Sequence, residues 1–241
     1  MVPSGNFAQH EGNEEPNLKI GVSGTKLNTY DYLQSNEHFI YSADCGARCF
    51  WSHTTSPLLD ERREVALLLS SSSPLGEVKD LTANVYTEQV RNRYLLLKTC
   101  LGDQAVFIHV SLPVTFEQTG SDRLSQDDDS FHIVLGDLNV TLDSFLDQAT
   151  PYHHIPGHGR PVLRDWLDAL RLIFIDAWHF QHPDLREFTS PTRKNRLDYC
   201  FLTVPLIRDH LAAINHVRDR EGRCEDHTPV EFILTPKLSL Y

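Results

Sequence analysis

Apolar positions fall into short runs with aromatic and β-branched content, set between polar stretches. Phe39–Ser42, Ala47–Trp51 and Val65–Leu69 are the first of these. The serine run Ser70–Ser73 with Pro74 reads as a loop. Arg93–Cys100 and Gln104–Val110 are two longer runs separated by Leu101-Gly102-Asp103. Gly-Asp between strand-like runs predicts a hairpin. Phe131–Leu135 reads FHIVL, a compact run consistent with a buried strand. The acidic run Asp127–Asp129 before it reads as a solvated loop.

The period then changes. Pro161 opens a helix in which Leu163, Trp166, Leu167 and Leu170 share one face, with Arg164, Asp165 and Asp168 elsewhere. Proline suits a first helical turn because its missing N–H has no partner there. Ile173–Ile175, Asp198–Val204 and Val230–Leu234 read as further strands, the last ended by Thr235-Pro236, and Ala213–Val217 is ambiguous. Many short strands and few helices predict one α/β or α+β domain over 18–241, behind a loose polar tail at 1–17.

Charge and composition change this picture only a little. Among 241 residues, 22 Lys and Arg face 33 Asp and Glu, a net charge of −11. That excess excludes a basic nucleic-acid coat or arm. It leaves room for a nucleic-acid enzyme, which can hold metal ions and offer a local basic strip. No stretch approaches the roughly 18 apolar residues of a membrane span. Met1–Pro16 lacks the basic and apolar regions of a secretory signal. Five scattered cysteines fit reduced thiols, and the expected location is intracellular, in nucleus or cytoplasm. Cys45 and Cys49 read as two small hydrophobes flanking a turn rather than half a zinc site, since no second ligand pair follows.

Three segments carry candidate chemistry. In Gly136-Asp137-Leu138-Asn139, after FHIVL, a carboxylate and a carboxamide one residue apart project to one side of an extended chain. The carboxylate can bind a metal or orient water, and the amide can donate to a phosphate oxygen. Ordinary turn chemistry uses the same residues. In Arg196-Leu197-Asp198-Tyr199, an Asp entering an apolar strand needs a partner: a histidine, or Arg196 in a surface pair. In Glu225-Asp226-His227-Thr228-Pro229-Val230, adjacent Asp and His precede the last strand and can face one site. Arg186, Arg193, Lys194 and Arg196 around Phe188 read either as a strip that holds a phosphate backbone and stacks a base, or as a solvated loop. His153, His154 and His158 lie in a loop with Pro156 and Gly157, where zinc binding is the alternative to an irregular surface loop.

Taken together, GDLN after a strand, RLDY entering a strand and EDHTPV entering the last strand resemble the endonuclease/exonuclease/phosphatase superfamily. Asp176-Ala177-Trp178, His182-Pro183-Asp184 and Phe188-Thr189-Ser190 resemble the segments before RLDY in endonuclease domains of LINE-type retrotransposons. The resemblance implies a four-layer α/β/β/α sandwich, deoxyribonuclease-I-like, with the site at one end of two packed sheets. It implies Mg²⁺- or Mn²⁺-dependent phosphodiester hydrolysis on DNA, with no membrane and no inferable protein partner. Residue by residue, it implies that Asp137 orients water, Asn139 stabilises the phosphoryl transition state and Asp198 pairs with His227. His227 would contact the scissile phosphate, Asp226 would serve the metal region, and Arg193, Arg196 and Phe188 would bind substrate.

The pattern also departs from the family. Gly24 in Val22–Leu27 stands where a metal-ligand Glu is expected, and no early strand ends in the family's Asn. Glycine has no side-chain ligand atom, so metal binding should weaken. At His109–Pro113 the chain passes quickly from strand to GDLN, without the family's Tyr and long helix. The resemblance therefore implies a fold incomplete at its start and middle, in a truncated or degenerate copy. The expected activity is a DNA endonuclease; the alternatives are a catalytically inactive relic and a phosphatase or phosphodiesterase on small phosphoesters.

Overall fold

The computed structural model describes residues 48–52, 65–69, 73–85, 93–111, 130–150, 159–169, 172–216, 227–228 and 230–236. The expected tail, the Val22–Leu27 segment, Phe39–Ser42, the 153–158 histidine loop and Asp226 lie outside them. Ten strands are described: β1 (Arg48–Trp51), β2 (Ala66–Leu69), β3 (Lys79–Asp80), β4 (Tyr94–Leu101), β5 (Gln104–Ser111), β6 (Phe131–Asp137), β7 (Phe174–Asp176), β8 (Asp198–Thr203), β9 (Leu211–His216) and β10 (Val230–Leu234). The helices are α1 (Thr82–Val85), α2 (Gly159–Ala169), α3 (Ala177–Gln181) and α4 (Val204–His210). None is long and apolar enough to cross a membrane.

Six strands form one mixed sheet in the order β3-β4-β5-β6-β8-β7. The β4–β5 hairpin closes where Leu101 faces Gln104, and Gly102 sits at φ 63° in its turn. β5 and β6 run parallel, whereas β6 and β8 run antiparallel. β1–β2 and β9–β10 are separate antiparallel pairs. Of the ambiguous Ala213–Val217 segment, the described residues 213–216 belong to β9, stabilised by pairing with β10 rather than by their own pattern.

Side-chain alternation sends successive residues of the central strands to opposite faces, and both faces are covered. Leu95, Leu97, Ile108, Ile133 and Leu135 pack into one core with Leu67, Leu69, Val230 and Phe232 from the two-stranded pairs. Leu96, Phe107, Val134 and Phe201 pack into a second core with Leu163 and Trp166 of α2. A strand covered on both faces is mostly apolar, and β6 and β8 are buried throughout, with His132, Asp137, Asp198 and Thr203 as their polar residues. The chain has an α/β fold, with α2, the mixed sheet and the strand pairs as successive layers among the described residues.

Two buried polar networks run inside these layers. Under α2, Tyr94 Oη lies 2.6 Å from His109 Nδ1, His109 Nε2 lies 3.0 Å from His132 Nδ1, and His132 Nε2 lies 3.0 Å from Ser130 Oγ. Burial, with His132 beside it, drives the His109 imidazole well below its ordinary value, and burial brings His132 to about 4. Both rings are therefore neutral, and each has one donor and one acceptor nitrogen for the chain.

Arg196 forms the second network and is only 1% exposed. Its Nε donates to Asp147 Oδ1 at 2.8 Å, and its Nη1 and Nη2 donate to Asp176. Asp147 also accepts from the Leu142 and Asp143 N–H groups and from Tyr199 Oη at 2.8–3.0 Å. Burial pushes the Asp176 carboxyl up, but hydrogen bonds from His179 and the Arg196 guanidinium outweigh it and hold it at about 2. Arg196 thereby ties the loop after β6 to β7 and to the start of β8.

Two outcomes follow. Arg196→Ala leaves Asp147 and Asp176 buried without their cation, a change that costs about 3–5 kcal/mol. Urea unfolding should register it, and a loss below about 1 kcal/mol would refute the network's role. Unfolded His132 takes up a proton near pH 6.5, while the folded residue does so only at about 4. The His132 contribution to stability is therefore full above pH 6.5 and falls by about 3 kcal/mol toward pH 4. In His132→Gln, which cannot titrate, acidification should cost less stability than in the unaltered protein by about that amount, the remaining slope belonging to His109 and the other titrating groups.

Candidate active site

Cross-strand register creates the site. Asp137 ends β6, Asp198 begins β8, and the two are direct partners in the antiparallel ladder. Both share the parity of Ile133, Leu135, Cys200 and Leu202, so they lie on the face turned toward the strand pairs. His227 comes from the opposite side, three residues before β10. Two carboxylates from one sheet thus meet an imidazole from the other layer.

The distances define the roles open to each group. His227 Nδ1 lies 2.8 Å from Asp198 Oδ2, and His227 Nε2 lies 3.5 Å from Asp137 Oδ2. A carboxylate against Nδ1 keeps the proton there and aims Nε2 at Asp137. Asp198 Oδ1 is buried and has no hydrogen-bond partner among the described residues. Asn139 adopts the left-handed conformation, φ 48°. This lets its N–H reach Asp137 Oδ1 at 3.0 Å and its side-chain amide reach Asp137 Oδ2 at 3.2 Å.

Burial and the neighbouring Asp198 raise the Asp137 carboxyl to about 6, against the opposing pull of His227 and the Asn139 donors. Like charges on adjacent strands resist ionisation together. A cation between them would relieve that repulsion. Ligand atoms of Asp137, Asp198 and His227 lie within 4.8 Å of one another. Two carboxylates and an orphaned carboxylate oxygen fit a divalent cation, and the imidazole makes the set better suited to Mn²⁺ than to the oxygen-seeking Mg²⁺.

Thr189, which the sequence marked only as part of the Phe188-Thr189-Ser190 segment and without a role, holds the two layers in place. Its Oγ1 accepts from the Leu197 and Asp198 N–H groups at 3.0 and 3.1 Å, and its carbonyl accepts from Thr228 N–H at 2.9 Å. One buried residue therefore fixes both the strand of Asp198 and the residue next to His227. Arg193, also left-handed at φ 56°, donates to Thr228 Oγ1 at 2.6 Å.

The basic strip is not continuous. Arg196 is committed to Asp147 and Asp176 inside the protein, so it has no donor to offer a phosphate and does not form the local pair with Asp198. Its charge is spent on carboxylates that the sequence places far away, which local reading cannot see. Arg193 is half-buried at the rim, Lys194 is exposed, and Phe188 is half-buried beneath Arg186.

No protein-family model and no curated protein sequence matches the chain. Solved structures do resemble it. An AP endonuclease from Archaeoglobus fulgidus superposes with a TM-score of 0.60 at 16% identity, covering 87% of this chain and 85% of that one. The 3′ phosphatase NExo from Neisseria, solved with a product DNA hairpin, gives 0.59 at 14% identity, over 90% and 99%. The catalytic domain of Xenopus laevis APE2 gives 0.56 at 18% identity, over 78% and 76%. At these identities the likeness is one of fold, and the chain shares the α/β architecture of these proteins.

Proposed function

We propose that the chain hydrolyses phosphodiesters of DNA with a divalent cation, as a LINE-type endonuclease of retrotransposon origin. The observation that carries this reading is the meeting of Asp137, Asp198 and His227 at one end of the two layers. The similar structures are nucleases and a phosphatase, which supports phosphoester chemistry in general.

In this reading Asp137 and Asp198 would hold Mg²⁺ or Mn²⁺, with Asp226 serving the same region. The bound cation would supply charge neutralisation at the phosphoryl oxygens. Asp137 orients the attacking water, its Oδ2 lying 3.5 Å from His227 Nε2. Asn139 carries a further amide N–H for a phosphoryl oxygen. Asp198 stabilises a cationic His227, which contacts the scissile phosphate through Nε2. Arg193 and Phe188 bind the strand at the rim. Such a site works by positioning and electrostatics, the main demands of phosphoryl transfer. The departure at Gly24 favours a second reading, a catalytically inactive relic; small phosphoesters are a third.

Nicking of supercoiled plasmid with Mg²⁺ or Mn²⁺ separates these readings. Asp137→Asn and His227→Ala should each lower nicking by about 10²–10⁴-fold. Nicking that survives both substitutions overturns the assignment, and no nicking by the unaltered chain supports the relic. Asp137→Asn has a second, opposite signature. Folded Asp137 releases its proton near pH 6, above the ordinary 3.8, so its ionisation removes stability as pH rises through that window. In EDTA at pH 7.5 the Asn variant should be more stable by up to about 3 kcal/mol, and at pH 4 the gain should vanish. Equal unfolding midpoints at pH 7.5 would show that Asp137 is not electrostatically frustrated.

A further inference from the structure

Beside the site, the loop after β6 presents an aromatic ring to solvent. Phe145 is 62% exposed. Its backbone is nonetheless fixed, because the Phe145 and Leu146 N–H groups both donate to Asp143 Oδ1, at 2.7 and 2.8 Å. Behind the ring lies Arg186, whose Cζ is 5.1 Å from the Phe145 centroid and 5.7 Å from that of Phe188. Arg186 Nη2 donates to the Gln148 and Ala149 carbonyls, so the guanidinium cannot swing away. A cation held between two rings orders both and polarises their outer faces.

This arrangement continues directly into the candidate site. Ala149 N–H donates to the Lys194 carbonyl, Arg196 N–H donates to the Asp147 carbonyl, and Phe188 precedes Thr189, which fixes Asp198. Lys194, held to Ala149 through its carbonyl, is exposed, and Arg193 before it is half-buried. A rigid exposed ring beside cations, in a chain of net charge −11, matches a ligand that carries flat bases on a phosphate backbone.

We propose that Phe145, backed by Arg186 and Phe188, is a stacking shelf for an unpaired base of a single-stranded nucleic acid. The proposal deepens the phosphodiesterase reading and rests on it for the identity of the strand, but binding on the shelf needs neither a cation nor catalysis.

Fluorescence anisotropy in EDTA tests it with two labelled eight-residue strands of equal phosphate count, one of thymidines and one of abasic analogues. The unaltered protein should bind the base-bearing strand about tenfold more tightly. Phe145→Ala should erase that preference, and so should Phe145→Leu, which keeps apolar area but has no π face. Phe145→Trp should restore it, with tryptophan fluorescence quenched by the thymidine strand alone. Equal binding of both strands by the unaltered protein overturns the shelf and leaves the hydrolysis reading standing. Binding of neither strand overturns the shelf as well, and the hydrolysis reading is then decided by the nicking assay with Mg²⁺ or Mn²⁺. A preference that survives Phe145→Ala overturns the shelf, as does a concentration-dependent dimer abolished by that substitution, which would assign the ring to a second copy of the chain.

Discussion

The buried pairing of Arg196 with Asp147 and Asp176 is the constraint on which the candidate site depends. One guanidinium joins the loop after β6, the end of β7 and the residue two before Asp198. Tyr199 closes the arrangement: its hydroxyl donates to Asp147 and its ring lies 4.2 Å from the guanidinium. A surface pair would leave these segments free to shift, because exposed ion pairs contribute little. Inside the protein, loss of any partner exposes a charge to an apolar medium, so the segments are held together. Asp137 and Asp198 inherit their spacing from that anchorage.

Much of the fold could be read from the chain where pattern and environment coincide. FHIVL is buried at every position because β6 is covered on both faces, its one polar residue, His132, being paired with His109 and Ser130, and Leu163 and Trp166 mark the buried side of α2. The Gly102 turn was legible for the same reason: its backbone conformation is a local matter. β9 was not, since Ala213 and Asn215 carry little strand preference and β10 supplies the pairing. In the site, Asp137, Asn139, Asp198 and His227 stood out through their motifs. Thr189 and Asp147 did not, because what they do is set by residues distant in sequence. Arg196 shows the converse: its neighbours suggested a surface strip, while its partners lie 20 and 49 residues away.

Two buried groups oppose each other as acidity changes. His132 resists protonation because it is buried, whereas Asp137 accepts a proton readily because it is buried and another carboxylate faces it. Acidification therefore weakens the core beneath α2 while relaxing the end of the sheet where the carboxylates meet. The two effects have opposite sign, so the acid profile of the whole protein reports their difference and only the single-site variants separate them. The helix side of the sheet is arranged for cohesion; the other side carries an electrostatic tension that a bound cation would discharge.

The division of the candidate site between layers has a consequence during synthesis. Asp137 and Asp198 are neighbours as soon as β6 and β8 pair, but His227 belongs to the segment leading into β10. A nascent chain therefore holds two facing carboxylates well before it can supply the imidazole. Until β10 is made and docked against β9, the carboxylate pair has no nitrogen opposite it. The order in which the ribosome delivers these residues makes completion of the triad a late event, one that reports the closure of the whole sandwich.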